Sequence, residues 1–215
     1  MSDTIEATVE TAWRTRGFGG TVPRGGRPGV VVVDLQRGFT EPGGAFSCPA
    51  DDAVAATREL VDAARRAGAP VWWTVIAYEP AEPLPLWAAK IPALDTLRAG
   101  TPPCDLDPRL GAQPVDPVLP KRGASALFGT DLAGRIRAAG VGTVVLCGAS
   151  TSGCVRATAV DLVQSEIPAV VVREACADRD PAQAEAAFTD LAAKYCDVVD
   201  LRTAVSLIGR RPAAG

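Results

Sequence analysis

"GVVVVD", residues 29–34, sets four consecutive valines between a glycine and an aspartate. Four β-branched residues without polar alternation read as a strand buried on both faces, which belongs in a parallel sheet covered by helices on each side. The chain downstream repeats that logic. "DDAVAATRELVDAARRAGAP" (51–70) reads as a helix: Asp51 or Asp52 caps it, Val54, Leu60, Val61 and Ala64 form its apolar stripe, and Gly68 to Pro70 end it. "VWWTVIAY" (71–78) is a second strand, with Trp72 and Trp73 as sheet-face packing. After residue 115 the alternation continues as "DPVLPK" (strand), "GTDLAGRIRAAG" (helix), "GTVVLCG" (strand), "CVRATAVDLVQSE" (helix) and "PAVVVRE" (strand). "DPAQAEAAFTDLAAKY" (helix), "CDVVDL" (strand) and a last helix over 202–208 complete it. Alternating strands and helices predict a three-layer α/β/α domain with a Rossmann-like, doubly wound, mainly parallel sheet. That domain spans 29–215, and the polar, glycine-punctuated residues 1–28 read as an N-terminal arm.

The stretch from Glu79 to Gln113 is rich in proline and carries few element signals beyond a short helix near Leu94–Ala99. Loops of this length in a compact domain are functional or mobile. Trp87 lies within it, and the sequence leaves open whether that ring covers the site or meets another subunit.

Composition removes whole classes of function. The 215 residues carry a net charge of −3, which gives no basic field for nucleic acid or an anionic membrane. No apolar run approaches the ~20 residues a membrane span needs, and the first residues lack the apolar core of a signal peptide, so the chain reads as cytoplasmic. Six cysteines (48, 104, 147, 154, 176 and 196) form no Cys-x-x-Cys pair, and most read as small buried hydrophobes. There is no histidine, which rules out Cys–His and Ser–His catalysis and every His-ligated metal. No Gly-x-Gly-x-x-Gly or Walker lysine supports a nucleotide, so neither a cofactor nor a metal is expected.

In doubly wound sheets sites form beyond the carboxyl ends of the strands, which narrows the search to three residues. Asp34 ends the first strand, where desolvation raises a carboxyl pKa and makes a proton carrier; a turn or capping aspartate is the alternative. Lys121 ends the third strand and can hold a neighbouring thiolate or carboxylate by charge; the alternative is a solvated surface lysine. Cys154 follows the small-residue bend "GASTSG" at the expected start of a helix. Free N–H groups and the helix dipole there lower a thiol pKa and bind an oxyanion. A buried structural cysteine is the alternative. Together the three supply a nucleophile, a proton carrier and a cation, a set suited to acyl transfer through a thioester.

The motifs "VVVDLQRGF", "LPKRGASALFGTDL" and "GASTSGCVRAT", in this order, resemble those of the isochorismatase-like cysteine hydrolases. With "REACADRD" they are most similar to the N-carbamoylsarcosine amidase and maleamate amidase branch. The resemblance implies a catalytic triad of Asp34, Lys121 and Cys154, an oxyanion hole of the Ser150 and Cys154 backbone N–H groups, and a cis peptide between Ala149 and Ser150. It also implies that Arg179 binds a substrate carboxylate, that the substrate is a small amide or N-carbamoyl compound, and that the protein is a homo-oligomer, dimer or tetramer. Phe39 and Phe128 are expected to wall the pocket, and Arg156 to form a structural ion pair. Members with nicotinamidase activity hold a metal with histidines, which this chain lacks, and Ala157 stands where carbamoylsarcosine amidases carry a histidine. Two rival readings remain: a non-covalent enol-ether hydrolase using Asp34 and Lys121, and a catalytically silent small-molecule binder of the same fold.

Overall fold

The valine run becomes β1 (Arg27–Val33), the strand on which the sheet is built. Val30 to Val33 have no exposed surface, and each such side chain gains about 1.5–3 kcal/mol over an exposed one. The structure is a computed structural model and describes residues 13–209. β1 lies between β2 (Val71–Ile76) and β4 (Val141–Ala149), with Val33 opposite both Thr74 and Gly148. β3 (Val118–Lys121) flanks β2, while β5 (Ala169–Ala177) and β6 (Asp197–Val199) continue beyond β4. The order is β3-β2-β1-β4-β5-β6 and every pairing is parallel. Strand order reverses between β1 and β4, the place in such sheets beyond whose carboxyl ends sites form.

Seven α-helices accompany the sheet among the described residues: α1 (Arg37–Thr40), α2 (Asp51–Ala67), α3 (Trp87–Lys90), α4 (Leu132–Ala138), α5 (Arg156–Gln164), α6 (Pro181–Lys194) and α7 (Leu201–Gly209). α2 and α7 pack on each other over β1 and β5, and α5 packs on α6 and β5. None of the described helices is long and apolar enough to cross a membrane. Val54, Leu60, Val61 and Ala64 are buried, and Gly68 closes α2 in the left-handed conformation (φ 65°) with its N–H on the Ala64 and Arg65 carbonyls. The start of α2 differs from the expectation. Ala50 is the N-cap and no side chain caps it. Asp51 sits inside the first turn, its carboxylate taken by Arg109 Nη1 at 2.6 Å.

The proline-rich stretch is folded tightly. It contains α3 and three 3-10 turns, Pro92–Thr96, Pro102–Cys104 and Pro108–Leu110, each opening on a proline whose missing N–H costs nothing there. The helix expected near Leu94–Ala99 is the first of these turns. Leu94, Leu97 and Leu110 anchor the segment with no exposed surface, and Trp87 lies half-buried against the core. Of the N-terminal arm, residues 1–12 lie outside the described residues. Its next part meets α6, with Gly19 N–H on the Ala193 carbonyl (2.9 Å) and Lys194 over the Trp13 ring, and Arg24 and Gly25 then reach Asp197 and Thr143.

Candidate active site

Three strand ends converge on one buried cluster. Asp34 follows β1 directly and adopts φ 51°, a left-handed conformation that aspartate tolerates better than most residues. Its N–H continues the ladder to the Thr74 carbonyl of β2 (3.0 Å), and the Thr74 hydroxyl donates to Asp34 Oδ1 (3.0 Å). Lys121, the last residue of β3, reaches Asp34 Oδ2 at 2.7 Å, both side chains being fully buried. The same ammonium donates to the Gly123 and Ala124 carbonyls, each at 2.8 Å. Two hydrogen-bonded carbonyls and one carboxylate in ion-pair contact surround the ammonium, the condition under which a buried charge is tolerated.

Cys154 completes the cluster, buried beside Asp34 and Lys121, whose charges both act on its thiol. It does not open α5 as the sequence suggested. A π-helical turn, Thr151–Val155, precedes that helix and holds the cysteine inside it. The cause is visible in the hydrogen bonds. The Ser150 carbonyl accepts from both Gly153 N (3.1 Å) and Val155 N (3.1 Å), a wider spacing than an α-turn allows. The Ser152 N–H is taken by Asp178 Oδ2 at 2.7 Å, and Thr151 Oγ1 donates to the Ala177 carbonyl at 3.1 Å, so the turn is fastened to β5. The Ala149–Ser150 peptide bond immediately before it is cis. Thr158 fastens the other side: its hydroxyl donates to the Cys154 carbonyl (2.7 Å) and accepts from Ala126 N (2.9 Å), joining the cysteine turn to the loop that cradles Lys121.

Burial dominates the electrostatics. It raises the Asp34 pKa above the ordinary carboxylate value, against the opposing pull of Lys121, Cys154 and Thr74. Burial also works against the Lys121 charge, but Asp34 and Cys154 outweigh it, and the ammonium is held above its usual value. The Cys154 thiol is pushed up to about 12 by burial, with Lys121 lowering it and Asp34 raising it further. The resting cluster thus pairs an ammonium and a more basic carboxylate with a neutral thiol.

A cleft of about 580 Å³ adjoins Lys121. Its polar lining is Lys121, Arg122, Glu79 and Glu82; Ala77, Pro85, Pro120 and Phe128 give it an apolar side. Phe128 is 69 % exposed and stands in this wall, its ring 2.8 Å from where a side chain on Gly123 would begin. Phe39 does not. It is buried in α1 and stacks on Phe46 at 5.2 Å between ring centres, so it belongs to the core. Arg179 is exposed beyond β5, with Nη1 donating to the Phe46 carbonyl (3.4 Å), and it does not line the cleft. Arg156 pairs with Asp190.

Sequence reasoning passed over Thr74, Gln36, Thr158 and Tyr78. Gln36 is wholly buried. Its Oε1 accepts from Ile76 N (2.7 Å) and its Nε2 donates to the Ile76 and Pro103 carbonyls (3.1 and 2.9 Å), which ties the Asp34 turn to β2 and to the proline-rich segment. A lone polar residue inside an apolar strand run ("VWWTVI") is the signal that would have found Thr74.

Residues 28–203 match the model of the isochorismatase domain. Maleamate amidohydrolase of Pseudomonas putida is 37 % identical over 193 residues, covering 87 % of this chain and 90 % of that protein. N-carbamoylsarcosine amidase of an Arthrobacter species is 30 % identical, covering 99 % and 82 %. Among solved structures, a cysteine hydrolase of Pseudomonas syringae superposes with a TM-score of 0.80 at 26 % identity, over 85 % of this chain and 92 % of that one. N-carbamoylsarcosine amidase of Thermoplasma acidophilum does so with 0.68 at 30 % identity, over 81 % and 96 %. With this sheet order, this strand-end cluster and a family match over most of its length, the chain belongs to the isochorismatase family.

Proposed function

We propose that this protein is an amidohydrolase that cleaves a small primary amide or N-carbamoyl group on a carboxylate-bearing molecule, such as maleamate or N-carbamoylsarcosine, releasing ammonia through a thioester on Cys154. The observation that carries the reading is the buried contact of Asp34 with both Lys121 and Cys154. It puts a raised-pKa proton acceptor on a thiol that stays neutral by itself. As the thiol attacks the amide carbon, its proton passes to Asp34, and Lys121 balances the charge that develops on sulfur and carboxylate. The Ser150 and Cys154 backbone N–H groups take the tetrahedral oxyanion. The C–N bond breaks as Asp34 returns the proton to nitrogen, and ammonia leaves a thioester. Water then gives a proton to Asp34 and its oxygen to the acyl carbon; the carboxylic acid departs and the thiol is restored. Proton transfers of this kind contribute roughly 10²–10⁴-fold each, and removal of one oxyanion donor costs about 10²–10³-fold.

Exposed Leu86 and Phe128 suit a contact between copies of the chain in a homo-oligomer, which analytical ultracentrifugation would read. The test of the chemistry is ammonia release from maleamate and N-carbamoylsarcosine by wild type and Cys154→Ala side by side. Release by wild type alone supports the thioester route. Equal release by both proteins favours the non-covalent rival, and release by neither removes both acids as substrates.

A further inference from the structure

Thr158 stands one helical turn beyond Cys154, and we infer that it is a positioning residue whose hydroxyl sets the spacing between the Cys154 thiol and the Lys121 ammonium. This rests on the amidohydrolase reading and adds to it the group that holds thiol and cation in register. Thr158 has no exposed surface. An amide N–H can only donate, so the bond from Ala126 N (2.9 Å) occupies a lone pair of Thr158 Oγ1. The hydroxyl proton is then committed to the Cys154 carbonyl (2.7 Å). One buried oxygen thus joins the backbone of the nucleophile to the loop that follows β3.

That loop seats the cation. Its Gly123 and Ala124 carbonyls accept from Lys121 Nζ, each at 2.8 Å, and Ala126 follows, fully buried. Farther on, the Thr130 hydroxyl donates to the Ala126 carbonyl (2.6 Å) and accepts from Leu132 N (3.2 Å), which closes the loop on itself. Among the described residues, no other hydrogen bond joins residues 122–130 to the cysteine turn. Thr158 is therefore the polar tie between the seat of the cation and the seat of the thiol. A methyl group does not fit where that oxygen lies. Carbon–oxygen contacts stand at about 3.3–3.6 Å, so valine would push turn and loop apart by roughly half an ångström. It would also leave the Ala126 N–H buried without an acceptor.

The test compares Thr158→Val, Thr158→Ser and Thr130→Val in the full chain, each checked for folding by circular dichroism. Serine keeps the hydroxyl. Thr130→Val removes the same kind of hydroxyl from the same loop without touching the cysteine turn, and so controls for loop stability. Thr158→Ala, which loses the hydroxyl without added bulk, replaces Thr158→Val if that variant does not fold. In maleamate turnover, kcat should fall about tenfold in Thr158→Val with KM little changed, since a misplacement of about an ångström costs ~10²-fold. Thr158→Ser and Thr130→Val should stay within about threefold of wild type. The second readout needs no substrate: alkylation of Cys154 by iodoacetamide at pH 9, followed by mass spectrometry. Lys121 lowers the thiol pKa, so a displaced cation slows alkylation, by about threefold for each half unit the thiol rises. Loosening alone would expose the sulfur and speed it. Alkylation unchanged or faster, kcat at the wild-type value, equal losses in Thr158→Val and Thr130→Val, or a serine variant as impaired as valine each overturns the assignment. Slowed alkylation in Thr158→Val, with no ammonia released by wild type, would leave Thr158 in its role and sink the amidase reading instead.

Discussion

Replacing Lys121 by methionine removes the cation from a site where both partners are fully buried and 2.7 Å apart. The Asp34 carboxylate would keep only the Thr74 hydroxyl and the thiol as stabilising partners, against the same burial. Breaking a buried ion pair from one side costs about 3–5 kcal/mol, because the remaining charge is stranded. Asp34 escapes that cost by taking up a proton, which makes the loss depend on pH. The folded variant then holds a proton that the unfolded chain releases near the ordinary value of 3.8. Stability relative to wild type therefore falls as pH rises, by about 1.4 kcal/mol per unit, between the raised Asp34 value of the wild type and the still higher value of the variant. Urea denaturation at pH 5 and pH 8 reads this directly. The variant should lose about 3–5 kcal/mol at pH 8, and the loss at pH 5 should be smaller by at least ~1.4 kcal/mol. Adding Asp34→Asn removes the stranded charge and should restore a large part of the stability. An equal loss at both pH values, or a double variant no more stable than Lys121→Met, would refute the buried ion pair.

Activity requires Asp34 ionised, so kcat/KM falls as pH drops through its raised pKa; the acid limb should lie above the ordinary carboxylate range. Thr74→Val removes a hydrogen bond that favours the carboxylate, and should move that limb up by about one unit, since such a bond is worth ~1.5 kcal/mol or more. Gly148→Ala would place a methyl carbon 2.0 Å from the Val33 carbonyl oxygen, between the Asp34 and Cys154 strand ends, at φ 133°. The strands must part, and a misplacement of about an ångström costs ~10²-fold in rate; a thermal melt and kcat/KM at wild-type values would contradict this. The Cys154 thiol, at about 12, should react with iodoacetamide at pH 7.5 more slowly than free cysteine, measured by mass spectrometry of its peptide.

Much of this architecture is legible in the chain because its signals are local. The valine run that forms β1 is buried wherever it packs, and the small-residue bend before Cys154 predicts a tight turn whatever its type. The π-turn itself was not legible, since it depends on the Ala177 carbonyl and Asp178, each 26 residues from its bonding partner in the turn region. The proline-rich segment misled for the same reason: its turns are fixed by buried leucines and by the Gln36 amide 67 residues away from Pro103. Asp51 looked like a cap but found Arg109, and Phe39 looked like a pocket wall but found Phe46. In each case a long-range partner overrode the local preference.

The central claim is the covalent step at Cys154, and rapid-quench mass spectrometry of the intact protein during maleamate turnover tests it most directly. The account predicts a transient acyl adduct that maps to the peptide containing Cys154, forms as the first ammonia is released and disappears when substrate is exhausted. Steady ammonia release with Cys154 unmodified at every quench time, and undiminished in Cys154→Ala, would contradict it.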